Sequence, residues 1–158
     1  MRFPTVGLTT QVQRVEPLLC LNRFGIETEP GIVVPLKQLT PSQRFQLRSK
    51  PRAILFIPHL SASPELKKLG FQPDGKTDFF CLEVRGIGES RPAECNIREN
   101  DFFCSYGSDF LYASCAHLLN RPYLGRKVYD ILAAVRLLKK QGAEEIHLIG
   151  NGQGSIAA

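Results

Sequence analysis

An α/β fold with a mostly parallel sheet flanked by helices is the class this sequence predicts, and two observations carry it. From Arg52 onward, short apolar runs of strand length alternate with helical patterns in the order strand, helix, strand, helix, strand. Alternation of this kind builds a parallel sheet with right-handed crossovers. Near the carboxyl end, Ile146-His147-Leu148-Ile149 runs straight into Gly150-Asn151-Gly152-Gln153-Gly154. An apolar run that gives way to glycines and small residues reads as a buried strand turning sharply into a helix.

The elements follow in order. The chain reads as irregular as far as Glu16-Pro17, after which Leu18 to Leu21 leads through Asn22-Arg23 to Phe24–Thr28. Glu29-Pro30-Gly31 punctuates, and Ile32-Val33-Val34-Pro35-Leu36 follows, so two extended runs around a Pro-Gly turn predict a hairpin. Thr40 to Pro51 is a polar, basic surface connection. Arg52–Pro58 is nearly continuous in apolar residues, as expected of a strand covered on both faces. Ser63-Pro64-Glu65-Leu66 carries a helix start, with Ser63 as N-cap and Pro64 at the first helical position, and the helix ends near Gly70. Pro73-Asp74-Gly75 turns the chain into a second buried strand, Phe79–Val84, which leaves through Arg85-Gly86-Ile87-Gly88-Glu89-Ser90.

From Ala93 to Gly107 the pattern is weak, although Phe102, Phe103 and Tyr106 suggest a loop laid on an apolar surface. Ser108 caps a helix through Leu119. A longer helix spans Leu124 to Lys140, because Val128, Ile131, Leu132, Val135 and Leu138 repeat at helical spacing. Lys139 and Lys140 suit its carboxyl end, and Gly142 offers the left-handed terminus. Ile146–Gly150 is then the central strand. No internal repeat or low-complexity segment interrupts this order.

Composition narrows the function classes. A chain of 158 residues that is 43% hydrophobic and 22% charged fits one globular domain. The net charge of +5 comes from Lys and Arg residues that are scattered, which argues against nucleic acid or a membrane surface as partner. The five cysteines, Cys20, Cys81, Cys95, Cys104 and Cys115, form no C-x-x-C pair, so no metal site is indicated and a reducing, cytoplasmic setting is favoured. No signal peptide or membrane-spanning run is expected.

In doubly wound sheets, chemistry gathers at the carboxyl ends of the strands. Three loops should meet there: His59-Leu60-Ser61, Arg85-Gly86-Ile87-Gly88 and the glycine turn. That turn has the spacing of the nucleophile elbow, G-x-S-x-G, in which small residues let the backbone approach itself while a strained apex presents the nucleophile. Gly150 and Gly154 hold the small-residue positions and Gly152 holds the apex, without a hydroxyl. A dinucleotide-binding G-x-G-x-x-G would need its third glycine at Ser155, so a nucleotide cofactor is not expected. His59 at a strand end could face the site but reads more readily as a surface or turn residue, His117 as a helix residue facing solvent or already satisfied, and His147 as structural, pointing into helix packing.

Three features together, namely Glu29-Pro30-Gly31-Ile32 ahead of a strand and Pro35, the Arg85-to-Ser90 loop, and the Leu124-to-Lys140 helix paired with the glycine elbow, resemble the α/β-hydrolase superfamily. Within it the chain is similar to acetyl xylan esterase and dienelactone hydrolase-like members, from roughly Phe24 to the end. The resemblance implies an incomplete α/β-hydrolase domain over residues 1–158 that ends just after the elbow, with amino-terminal strands and connection in 1–51 and a parallel βαβ core in 52–158. It implies backbone oxyanion donors at Gln153 and Leu60, no cofactor and no metal. No acid or histidine follows Gly152, and the displaced hydroxyl of Ser155 is the one weak alternative nucleophile, so esterase chemistry is not expected of this chain. The other function class is a non-catalytic binding or subunit-interaction module. Its partner would be a small ester ligand, or a complementing chain or second copy covering the exposed sheet edge.

Overall fold

The computed structural model describes residues 6–7, 13–16, 19–41, 46–69, 75–91 and 109–158. Within these, seven strands form one mixed sheet: β1 (Val6–Gly7), β2 (Gln13–Glu16), β3 (Leu19–Glu29), β4 (Ile32–Thr40), β5 (Arg52–Ile57), β6 (Asp78–Leu82) and β7 (Glu145–Gly150). Spatial order is β1-β3-β4-β6-β5-β7, with β2 also on β3. Helices α1 (Ala62–Leu69), α2 (Asp109–Leu118), α3 (Tyr123–Lys140) and α4 (Gln153–Ala157) and a 3-10 turn at Gly88–Ser90 complete it.

The predicted hairpin is β3 and β4, antiparallel from Cys20↔Thr40 to Glu29↔Ile32 around Pro30-Gly31. β6 pairs antiparallel with β4 and parallel with β5, and β7 pairs parallel with β5. Parallel pairing is therefore confined to β6, β5 and β7, a smaller share of the sheet than the alternation suggested. The first sixteen residues are not wholly irregular, because β1 and β2 both add antiparallel to the long β3.

Both faces of the middle strands are covered, and the period of two decides what each side chain meets. Leu55, Ile57, Phe80 and Leu82 point to the face covered by α3, joining Phe24, Ile26, Ile131, Ala134, Leu137 and Leu138 in one cluster. Phe56, Phe79 and Cys81 point the other way, onto Ala62 and Leu66 of α1. All five residues of β6 are buried, which is why Phe79–Leu82 reads as an unbroken apolar run. Burial, reinforced by the nearby charge of Glu83, pushes the Cys81 thiol well above its usual range, so it packs as a neutral group.

Buried charge fixes where α3 and the loops sit. Asp130, fully buried, accepts from Thr28 Oγ1 at 2.8 Å and from the Arg85 backbone N–H and Nε at 3.1 and 2.9 Å. Arg85 Nη2 also reaches Glu29 at 2.8 Å, and Arg126 reaches the other oxygen of Glu29 at 3.0 Å. Burial alone would lower the Arg85 pKa, but its hydrogen bonds and charge pairing with Asp130 and Glu29 raise it.

Several expectations shift. The glycine-turn strand is an edge strand among the described residues, not a central one, since β7 has a partner only in β5. The α1 helix begins at Ala62, so Ser63 lies inside the first turn and Pro64 is its third residue. Pro is tolerated there because first-turn N–H groups have no partner within the helix. In α3, Ile131 and Leu138 are buried as the spacing predicts, but Leu132 is 45% exposed and Ala134 and Leu137 take its place. Gly142 terminates α3 in the left-handed region at φ +110°. The α2 helix runs Asp109–Leu118, whereas Ser108, the loop residues Phe102, Phe103 and Tyr106, and Pro73-Asp74 lie outside the described residues.

Candidate functional site

The three loops predicted to meet do meet, at the carboxyl ends of β5, β6 and β7. Gly88 donates its backbone N–H to Leu60 O at 2.8 Å, tying the loop after β6 to the loop after β5. Asn151 N–H donates to Ile57 O at 3.0 Å, tying the elbow to the same strand end.

Two carboxylates, one buried and one half-buried, organise this corner. Glu83, just beyond β6, accepts from the Ala62 N–H at 2.8 Å and the Glu89 N–H at 2.9 Å, and pairs with the buried Lys37 ammonium at 3.0 Å. Gly88, at φ +56°, passes so close that a β-carbon there would stand 2.2 Å from Glu83 Cδ. Glu65, in the first turn of α1, accepts from His59 N at 2.9 Å, Leu60 N at 2.8 Å and Ser61 N at 3.2 Å. Asn151 Nδ2 adds a fourth donor to it at 2.7 Å. Burial pushes the Glu65 carboxyl up, yet these donors outweigh burial and hold its pKa below the ordinary value. The backbone ahead of α1 is thus capped from Glu65, not from Ser63.

The elbow itself is formed. Gly152 sits at φ +51° and ψ −117°, the left-handed side of conformational space where residues with a β-carbon are strained. Gly150 and Gly154 fill the small-residue positions for the steric reason the motif requires. A β-carbon on Gly150 would stand 2.5 Å from Ser155 Cα, and one on Gly154 would stand 2.2 Å from Ile57 O. The short α4 therefore lies directly on the end of β5.

The two backbone N–H groups named as oxyanion donors have internal acceptors. Leu60 N–H goes to Glu65, and Gln153 N–H goes to His59 Nδ1 at 3.0 Å. His59 is accordingly not a bystander at a strand end. It is half-buried against the apex, and its imidazole lies where a side chain on Gly152 would begin. The Ser155 hydroxyl is exposed and donates to Gly152 O at 2.6 Å, the back-bond of a first-turn serine to the carbonyl three residues before it. His147 faces solvent, with Nε2 3.2 Å from Glu145 Oε1, because the strand that carries it is an edge. His117 is exposed and lines an apolar cavity of about 360 Å³ between α2, α3 and α4. Lys127 reaches that cavity, buried, with Nζ 3.4 Å from Gln153 Oε1 and 4.7 Å from the centre of the Tyr123 ring.

Glu65, Glu83 and His59 are the site residues that sequence reasoning missed or set aside. The acidic residue in the first turn of α1 was a visible signal for Glu65. Nothing local marks Glu83, and His59 was marked only by its place in the loop after β5. Among the described residues no cluster of His, Cys, Asp or Glu is placed to hold a metal ion, and no helix is long and apolar enough to cross a membrane.

No family model matches the sequence, and no curated protein matches it. Solved structures do. A Bacteroides fragilis protein assigned as an acetyl xylan esterase superposes with a TM-score of 0.69 at 15% identity, over 99% of this chain and 44% of that one. An acetyl xylan esterase from Paenibacillus sp. R4 gives 0.58 at 17% identity, over 94% and 47%. A cold-adapted esterase from an Arctic intertidal metagenomic library gives 0.56 at 15% identity, over 96% and 58%. At such identities the likeness is one of fold. The chain has part of the α/β-hydrolase fold, through the elbow and the first turns after it, and spans about half the length of these structures.

Proposed function

We propose that this chain is one incomplete α/β-hydrolase domain, related to ester hydrolases of the acetyl xylan esterase type, that does not turn over esters itself. The observation that carries this reading is the apex of the elbow. Gly152 keeps the positive φ of a strained strand-to-helix turn but offers no hydroxyl, and Ser155, one helical turn on, spends its proton on Gly152 O. A hydroxyl is a weak nucleophile without an adjacent base, and the Ser155 proton goes to a backbone carbonyl, not to a base. Purified chain incubated with an activated acetyl ester should show no turnover above buffer, and neither should Gly152→Ser. Turnover that disappears in Ser155→Ala would overturn the proposal.

A second reading, a binding or subunit-interaction module, is favoured by the edge strand. Leu148 and Ile149 on β7 and Ile156 on α4 are exposed, and an apolar edge is a template for another strand. A complementing chain or a second copy fits that edge. Analytical ultracentrifugation across a concentration series tests it, and a monomer at every concentration would count against it. Cytoplasmic placement belongs to the same proposal, supported by the free thiols of Cys81 and Cys115.

A further inference from the structure

We infer that His59 is a built-in occupant of the elbow, and that Gly152 and His59 form a matched pair that closes the site from within. Three observations meet at this one imidazole. A β-carbon on Gly152 would stand 2.4 Å from His59 Nδ1, 2.5 Å from Cγ and 2.9 Å from Cβ. The clash therefore involves the root of the side chain as well as its tip, and a small rotation of the ring does not relieve it. The Gln153 N–H, which has no acceptor within α4 because it opens that helix, donates to Nδ1 at 3.0 Å. The backbone of His59 is pinned in turn, its N–H donating to Glu65 at 2.9 Å, while Asn151 next to the apex donates to the same carboxylate at 2.7 Å.

An imidazole nitrogen that accepts a hydrogen bond offers a lone pair, so Nδ1 is the acceptor here and the ring N–H lies on Nε2. In that form Nδ1 does for Gln153 what a ligand carbonyl oxygen would otherwise do. No acyl group can use the Gln153 N–H while the ring is in place, and no side chain larger than hydrogen can occupy the apex. Absence of a nucleophile and closure of the hole are thus two separate barriers. The second stands or falls independently of the missing hydroxyl.

A double-mutant cycle tests the pairing. Gly152→Ala is made in the unaltered chain and in His59→Ala, and melting temperatures are compared. Strain from the positive φ is common to both backgrounds and cancels, whereas the collision with the ring exists only in the first. The loss in melting temperature on Gly152→Ala should shrink by about half or more when His59 is already Ala. Equal losses in the two backgrounds would overturn the inference. Should Gly152→Ala fold only in the His59→Ala background, the pairing is supported outright. Should it fold in neither, amide exchange decides: the Gln153 N–H should exchange about tenfold faster or more in His59→Ala than in the unaltered chain. Unchanged exchange, or an Nδ1-protonated His59 in ¹⁵N NMR of the unaltered chain, would refute it.

Discussion

Glu65 ties two loops of the site together, because four donors from them converge on one carboxylate. Three are backbone N–H groups of residues 59–61, and the fourth is the side-chain amide of Asn151, which lies 86 residues away in sequence. Charge-assisted bonds of this type favour the ionised form, and here they outweigh the burial that opposes it. A carboxyl whose folded pKa lies below its unfolded value contributes stability that is fully present above the unfolded value. That contribution is lost as pH falls through the folded value. For Glu65 the loss begins below the ordinary value of 4.5. Glu65→Gln keeps the shape but replaces one accepting oxygen by a donor. It should lower the melting temperature at about pH 7, and the difference from the unaltered chain should narrow at a pH well below 4.5, as Glu65 takes up its proton. An equal difference at both pH values would mean that Glu65 acts by packing alone.

The elements were readable in the sequence to the extent that each declares its own period. The β3–β4 hairpin, β5, α3 and the β7-to-α4 elbow all stand where spacing and glycines placed them. Strands of two and four residues, β1 and β2, are too short to show a period, and they exist because the long β3 offers them a ladder. Strand order was not readable either, since an apolar run reports burial but not which neighbour supplies it. The elbow glycines were legible because the motif encodes a steric requirement within five residues. His59 was not, because its partner Gln153 is 94 residues distant.

The steric requirement at the elbow predicts its own test. A β-carbon on Gly154 would meet Ile57 O at 2.2 Å, Ile57 C at 2.7 Å and Pro58 O at 2.9 Å, all backbone atoms that cannot rotate away. Gly154→Ala must lift α4 off β5 and should lose about 1–3 kcal/mol in denaturant unfolding. Gly125, inside α3, has nothing within 4 Å of its β-carbon position. Gly125→Ala should therefore gain about 0.5–1 kcal/mol from helix propensity. Similar changes of the same sign at the two glycines would refute the close approach.

On the scale of the whole molecule, the sheet is protected unevenly. At one end β3 carries β1 on Gly25 and Ile26 and β2 on Leu19, Cys20 and Leu21. At the other end β7 is paired by β5 along its full length, from Arg52↔Glu145 to Ile57↔Gly150, and has no strand on its far side among the described residues. Natural sheets blunt such an edge with charge, proline or a bulge. Here Glu145 and His147 supply polarity only at the amino-terminal half, while Leu148 is 38% and Ile149 45% exposed, and Ile156 beside them on α4 is 70% exposed. An edge of this composition buries its apolar surface and satisfies its backbone groups together when a second strand adds to it. The chain should therefore associate as concentration rises. Ile149→Lys places a charge in the carboxyl-terminal half of the edge at a position already open to water, so it should cost little stability in the monomer and be poorly tolerated in a paired sheet. In sedimentation velocity the unaltered chain should shift to larger species with concentration, and Ile149→Lys should remain monomeric at the same concentrations with a melting temperature close to that of the unaltered chain. If both proteins stay monomeric, β7 is not an association edge; if both associate alike, the contact lies elsewhere, and the exposed Leu118, Leu119 and Leu124 around the turn from α2 to α3 become the surface to mutate next.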